Sequence, residues 1–142
     1  EITANALRGG WYHTGDMGYV DDTGHLYLVD RKKDMIISGA ENIYSVEVET
    51  VISTHPGVLE VAVIGIPHDV WGEQVHAVVV KRDGHDALVG DGVIDFCRGK
   101  IAGYKIPKSV SFELGPLPTT GPGKIAKRRL RDPFWEGVDR QI

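Results

Sequence analysis

The sequence predicts a small α+β domain, in which a three-stranded sheet carries packed helices and is preceded by a β-hairpin. Three observations predict it. Turn residues Asp21-Asp22-Thr23-Gly24 separate two strand-like runs near the start of the chain. Apolar, β-branched runs at 58–66, 74–81 and 109–114 have the length and composition of strands. Two stretches between them, opening at Ser45 and Asp91, place apolar residues at helical spacing. Strands and helices in this proportion pack as a sheet with helices laid on it.

Each element has its own reason. Tyr19-Val20 and Leu26-Tyr27-Leu28-Val29 flank the turn and read as a hairpin. Arg31-Lys32-Lys33-Asp34 then breaks the apolar pattern, and Met35-Ile36-Ile37 resumes it, which places a domain boundary at the charged break. Ser45 is expected to cap a helix whose first turn holds Glu47 and Glu49, where the helix dipole favours acids. Val48, Val51 and Ile52 would face the core, and His55-Pro56-Gly57 would end the helix. The nearly continuous apolar run at 58–66 predicts a buried strand. Residues 67–72 read as a loop, and the next strand puts Val75, Ala77 and Val79 on one face. Asp91 is expected to cap a second helix with Ile94, Cys97 and Ile101 on one stripe. After the third strand, a loop at 115–123 holds three of the seven prolines, and 126–132 predicts a short basic helix stopped near Pro133.

Composition narrows the function classes. A chain of 142 residues fits one ordinary domain, or a small domain with a piece of a neighbour. Its 16 Lys and Arg against 20 Asp and Glu leave a net charge of −4, which argues against a general nucleic-acid binder. A single cysteine, Cys97, forbids an internal disulfide and predicts a reducing, cytoplasmic setting. No apolar run approaches the roughly 20 residues of a membrane span, so no integral membrane segment is expected. The chain opens at Glu1 without an initiator Met, which predicts a C-terminal piece of something longer.

The chemistry-bearing residues are few. In TTGPGKIAKRRLR, residues 119–131, Gly123-Lys124 is followed by Ile125, where a phosphate-cradling P-loop needs Ser or Thr. The stretch is therefore no P-loop. Lys127, Arg128, Arg129 and Arg131 read as a solvated helix face, whereas Lys124 sits beside glycines that let an ammonium reach a neighbouring site. The six histidines lack metal-ligand spacing, and Cys97 falls on an apolar stripe. Asp16, taken alone, is an ordinary turn acid.

Together, WYHTGD, GHLYLVDRKKDMIISGAENIYSVEVE and PTTGPGKIAKRRLR, in that order, resemble the ANL adenylate-forming superfamily, and within it the acyl-CoA synthetases. The resemblance covers nearly the whole chain. It implies that residues 1–32 are the C-terminal end of a large adenylating domain and that 33–142 form the mobile lid that swings over it. It implies an enzyme using ATP, Mg²⁺ and CoA, which activates a carboxylic acid as acyl-AMP and passes it to the CoA thiol. By that resemblance Asp16 and Arg31 hold the ribose of ATP or AMP, Lys33 is the hinge, and Lys124 is the catalytic lysine of adenylation. Gly39, Ala40 and Glu41 would line the pantetheine tunnel, where many relatives have Gly-Gly in place of Gly39-Ala40. Trp71, Tyr104 and Lys108 would contact the CoA nucleotide. Mg²⁺ would be bound mainly by the large domain, which is the expected partner, and the fragment alone is expected to be inactive. Two alternatives stay open: an adenylating enzyme loading a carrier-protein phosphopantetheine, and a non-catalytic interaction module that reuses the lid fold.

Overall fold

Two long antiparallel strands, β5 (Val58–His68) and β6 (Gly72–Lys81), form the longest strand pair in the larger part of the chain. The computed structural model describes residues 1–138, so the last four residues of the expected 33–142 domain lie outside it. The chain divides into two compact units, Glu1–Lys33 and Asp34–Ile142.

The first unit holds a short helix α1 (Ile2–Ala6), a 3-10 turn (Arg8–Gly10) and the hairpin β1 (Asp16–Val20) and β2 (Leu26–Arg31). The hairpin is antiparallel, with Asp16 opposite Arg31 and Val20 opposite Leu26. Its turn is organised by Asp21, whose Oδ1 accepts the Thr23 hydroxyl at 2.7 Å and the Thr23 and His25 N–H groups at 2.9 Å. These bonds favour the carboxylate, the Thr23 hydroxyl most of all, and hold the Asp21 pKa below its ordinary value.

The second unit begins with a short hairpin, β3 (Ile36–Ser38) and β4 (Glu41–Ile43), followed by helix α2 (Ser45–Ser53). After β5 and β6 come α3 (Gly90–Cys97), a 3-10 turn (Gly103–Lys105), β7 (Ser109–Glu113), α4 (Lys127–Arg131) and a 3-10 turn (Asp132–Trp135). The sheet runs β4-β3-β6-β5, and β7 joins the same side of β6 in parallel, reached through α3. The α+β class and the three expected strands are present, but β5 and β6 run into the expected loop at 67–72 and leave only 69–71 between them, and β3 and β4 extend the sheet to five.

Strand alternation explains why the apolar runs are continuous rather than alternating. Val61, Val63, Val75, Ala77 and Val79 face one core with α2 and α3, which supply Val48, Ile52, Val93 and Cys97. Ala62, Ile64, Ile66, Val78 and Val80 face the other, covered by Leu117 with Ile125 and Leu130. A sheet buried on both faces needs apolar residues at both parities. Full burial of a valine contributes about 1.5–3 kcal/mol, so these two strands supply much of the stability. Cys97 is fully buried, and desolvation pushes its thiol pKa up.

Two capping expectations are corrected. Tyr44 and Val89, in extended backbone, are the residues before α2 and α3, and neither makes a side-chain cap bond. Ser45 lies one position inside its helix and is buried, where its hydroxyl accepts a bond from Lys127. Asp91 sits inside the first turn of α3, where its charge still suits the helix dipole.

His76 interrupts the apolar sequence of β6. Its ring is buried between Ser109 Oγ at 2.7 Å and Ser111 Oγ at 2.9 Å, so it couples β6 to β7 through side chains. A neutral imidazole has one donor and one acceptor nitrogen, and the two hydroxyls rotate to match either tautomer. Burial lowers the His76 pKa from 6.5. His55 is lowered as well, by burial first and then by His85 and Lys100. The folded state therefore binds these protons less readily than the unfolded chain. Their contribution is intact above pH 6.5 and is lost as the pH falls below it. The urea midpoint should fall between about pH 7.5 and about pH 5, and His76→Gln should flatten that dependence.

Candidate active site

A cavity of about 220 Å³ opens in the second unit between Ser38, Gly39, Glu41, Trp71, Tyr104 and Lys108. Three separate parts of the chain build it: the tip of the β3–β4 hairpin, the β5–β6 turn, and the segment leading into β7. Five residues singled out from the sequence are thus brought to one place.

Each wall has a physical anchor. The hairpin tip is a two-residue turn, Gly39-Ala40, between the paired residues Ser38 and Glu41. Both central residues have positive φ, 59° and 69°, as the tightest hairpin turns require. Gly39 N–H donates to Trp71 O at 3.0 Å, which joins this tip to the β5–β6 turn. Deeper in the hairpin, Ile37 N–H donates to the buried carboxylate of Glu73 at 3.0 Å. Gly65 leaves the room for that carboxylate: a Cβ there would stand 2.5 Å from Glu73 Oε2.

Trp71 is held from below. His68 stacks on it with ring centroids 4.6 Å apart and 11° between planes. His68 Nδ1 also accepts the Val70 and Trp71 N–H groups at 3.1 and 3.2 Å, which fixes the turn that presents the indole. Sequence reasoning passed over His68, though a histidine just before a three-residue turn carries such an acceptor. On the opposite wall, Lys105 Nζ donates to both carboxylate oxygens of Glu47 of α2, at 2.8 and 2.7 Å, and so fixes the 3-10 turn that carries Tyr104. Glu47 raises the Lys105 pKa through that bond. Lys108 N–H donates to Val75 O at 2.9 Å, while its side chain is exposed.

The result is an aromatic slot with a carboxylate and an ammonium at its lining. Its volume is below the ~300–1,000 Å³ of drug-sized pockets, which suits a slender chain more than a bulky group. Ala40 lies on the turn but is not among the lining residues.

Lys124 stands elsewhere in the second unit, exposed, on a hairpin closed by the Thr119–Ile125 bridge. Thr120 N–H donates to Lys124 O at 2.7 Å and Gly123 N–H to Thr120 O at 2.8 Å. The glycine-flanked lysine thus sits in a defined hydrogen-bonded turn rather than at a free loop tip. In the first unit, Asp16 and Arg31 face each other across β1–β2, with Oδ1 and Nε 4.0 Å apart. Among the described residues, no three His, Cys, Asp or Glu side chains come together as a metal site. No described helix is long and apolar enough to cross a membrane.

Comparisons with known proteins show what the chain resembles in sequence and in fold. Residues 47–124, more than half of the chain, match the family model described as the AMP-binding enzyme C-terminal domain. A feruloyl-CoA synthase from an Amycolatopsis species is 52% identical over 134 residues, covering 94% of this chain and 27% of that protein. Among solved structures, a Mycobacterium tuberculosis fatty acyl CoA synthetase is 45% identical with a TM-score of 0.73, covering 98% of this chain and 27% of that one. ATP-bound MatB from Rhodopseudomonas palustris is 36% identical with a TM-score of 0.84, at the same coverage. The chain spans about a quarter of the length of the relatives it matches.

Ala40 carries a left-handed backbone that costs a side-chain-bearing residue roughly 1–2 kcal/mol. Part of the relief on replacement is offset by the added entropy of glycine. Ala40→Gly should raise stability by about 0.5–1 kcal/mol, read as a higher thermal midpoint.

Proposed function

The chain belongs to the AMP-binding enzyme C-terminal domain family, and from that premise we propose that it is the C-terminal part of an ATP-dependent acid:CoA ligase. The enzyme activates a carboxylic acid as acyl-AMP and then transfers the acyl group to the CoA thiol. Residues 1–32 are then the end of the large adenylating domain, and 33–142 are its mobile lid. The division of the chain between Lys33 and Asp34 supports Lys33 as the hinge. The hairpin β1–β2 supports the first assignment, because Tyr19, Val20, Leu26 and Leu28 are all more than half exposed. A lone two-stranded hairpin of that kind lacks the partner it needs for stability.

The observation that carries the reading is the single cavity shared by Gly39, Glu41, Trp71, Tyr104 and Lys108. The pantetheine arm of CoA is a slender chain, and it fits a slot of that size. The Trp71 and Tyr104 rings offer faces to a nucleotide base, and the Lys108 ammonium pairs with a phosphate. A nucleotide-binding patch beside the slot favours free CoA, because a carrier-protein arm has a phosphate but no adenine nucleotide. Ala40, on the turn beside the slot, sets the approach of the hairpin backbone to the arm. Asp16 accepts the paired hydroxyls of the ATP ribose, and Arg31, its cross-strand partner, supports the same sugar.

Adenylation needs positive charge where phosphorus becomes pentavalent. Lys124 supplies an ammonium that bridges the substrate carboxylate and the α-phosphate, worth most at the transition state. Mg²⁺, which would be bound mainly by the large domain, supplies further charge to the phosphates. Thioester formation uses the slot, with the lid rotated so that Lys124 has left the phosphate. One domain thus serves two half-reactions with two separated sites.

Two experiments test this. The isolated 142 residues should show no acid-dependent exchange of pyrophosphate into ATP, because on this reading the acid pocket belongs to the large domain; exchange would refute the reading. In the full-length enzyme, Lys124→Ala should slow acyl-AMP formation by about 10²–10³-fold. Thioester formation from supplied acyl-AMP should continue, and an equal loss in both steps would refute the division of labour.

A further inference from the structure

We propose that Lys127, Glu49 and Glu60 are positioning residues for Lys124, forming a two-point clamp on its hairpin. The proposal rests on the ligase reading above. The bonds within the hairpin close the turn but do not tie it to the domain. Two acidic side chains from other elements do that, one at each stem.

Before the turn, Leu117 N–H donates to Glu60 Oε2 of β5 at 2.7 Å, while the Leu117 side chain is buried against the sheet. After the turn, Lys127 Nζ lies 2.7 Å from Glu49 Oε1 of α2 and donates to Ser45 Oγ at 2.7 Å. Glu49 Oε1 also accepts Val63 N–H of β5 at 2.7 Å. Glu49 is therefore shared between the edge strand and the lysine. The side chains of Lys127 and Glu49 are only 12% and 18% exposed, so salt screens the pair little.

Geometry gives the clamp its purpose. Lys127 follows Lys124 by three residues, and three residues span at most roughly 10 Å. An anchor so close in the chain restrains the Lys124 backbone directly. Ala126 N–H, donating to Pro118 O at 2.7 Å, links the two stems, so the anchors act on one unit. Misplacing a catalytic group by about 1 Å can cost up to about 100-fold in rate. A lysine that must meet a developing phosphorane charge is subject to that requirement, and a solvated helix face is not. The first cation of the basic run thus has a job distinct from those of Arg128 and Arg129, which are exposed.

The test uses the full-length enzyme and measures the two half-reactions separately. Lys127→Met alone takes the Lys127 cation from the half-buried Glu49 and risks misfolding. Glu49→Gln/Lys127→Met avoids this, because glutamine keeps an acceptor for Val63 N–H and both charges of the pair are removed together. This double variant should slow acyl-AMP formation by about 10–100-fold, with thioester formation from supplied acyl-AMP within about twofold of the parent. Lys127→Arg, which keeps the ion pair, should retain the parent adenylation rate. Glu60→Ala, which cuts the other stem, should show the same one-sided loss. An equal fall in both half-reactions, or no fall in the first, overturns the clamp. Lys124→Ala run alongside separates the two claims. A normal acyl-AMP rate in Lys124→Ala overturns the ligase reading and the clamp with it. A slow Lys124→Ala beside a normal double variant overturns the clamp alone.

Discussion

The pairing of β5 with β6 is the constraint on which the larger unit depends. Ten or more residues in each strand place valines and isoleucines on both faces, so neither face can be left to water. That requirement calls α2 and α3 to one side and the Leu117–Leu130 segment to the other. It also fixes where the proposed site residues sit. The turn joining the two strands is where Trp71 projects, and the segment covering the second face is where Lys124 emerges. A sheet with one solvated face would have needed no second layer, and no lysine hairpin would have been drawn across it.

Side chains do much of the joining that backbone ladders do elsewhere. β3 meets β6 at only one residue pair, Ser38 with Gly72, and Glu73 supplies the missing acceptor for Ile37. Glu47 holds the turn bearing Tyr104, Glu49 holds α4, and Glu60 holds Leu117. Four glutamates from α2, β5 and β6 thus fasten to the core the segments that carry the proposed site residues. A carboxylate accepting N–H or ammonium donors makes a stronger bond than a neutral acceptor does. The acidic excess in the composition is, in part, this internal fastening.

The order of elements was legible because long apolar runs and helical stripes are local signals. The hairpin β3–β4 was not, since three-residue strands are too short to show alternation and Gly39-Ala40 is an unusual turn pair. Ser45 and Asp91 were misplaced by one or two positions because cap preference ignores what the preceding residue does; Tyr44 and Val89 take the extended backbone instead. The residue sets of the cavity and of the Asp16–Arg31 pair were named from a family pattern, and only folding brings Gly39, Trp71 and Lys108 together. The links from Glu49 to Lys127 and from Glu60 to Leu117 had no sequence signal at all, for a tie between distant residues leaves no period to read. Lys127 therefore looked like one more cation on a wet helix.

β5 lies at the border of the sheet, and a bare border strand is a template on which another chain can add itself by hydrogen bonding. Glu49 occupies the Val63 N–H of that border, and Lys127 closes over Glu49 from the opposite layer. The glutamate that pairs with Lys127 therefore also occupies one of the donors along that border. On the proposed reading, a substitution that loosened the lysine hairpin at Glu49 would also bare a donor of this edge.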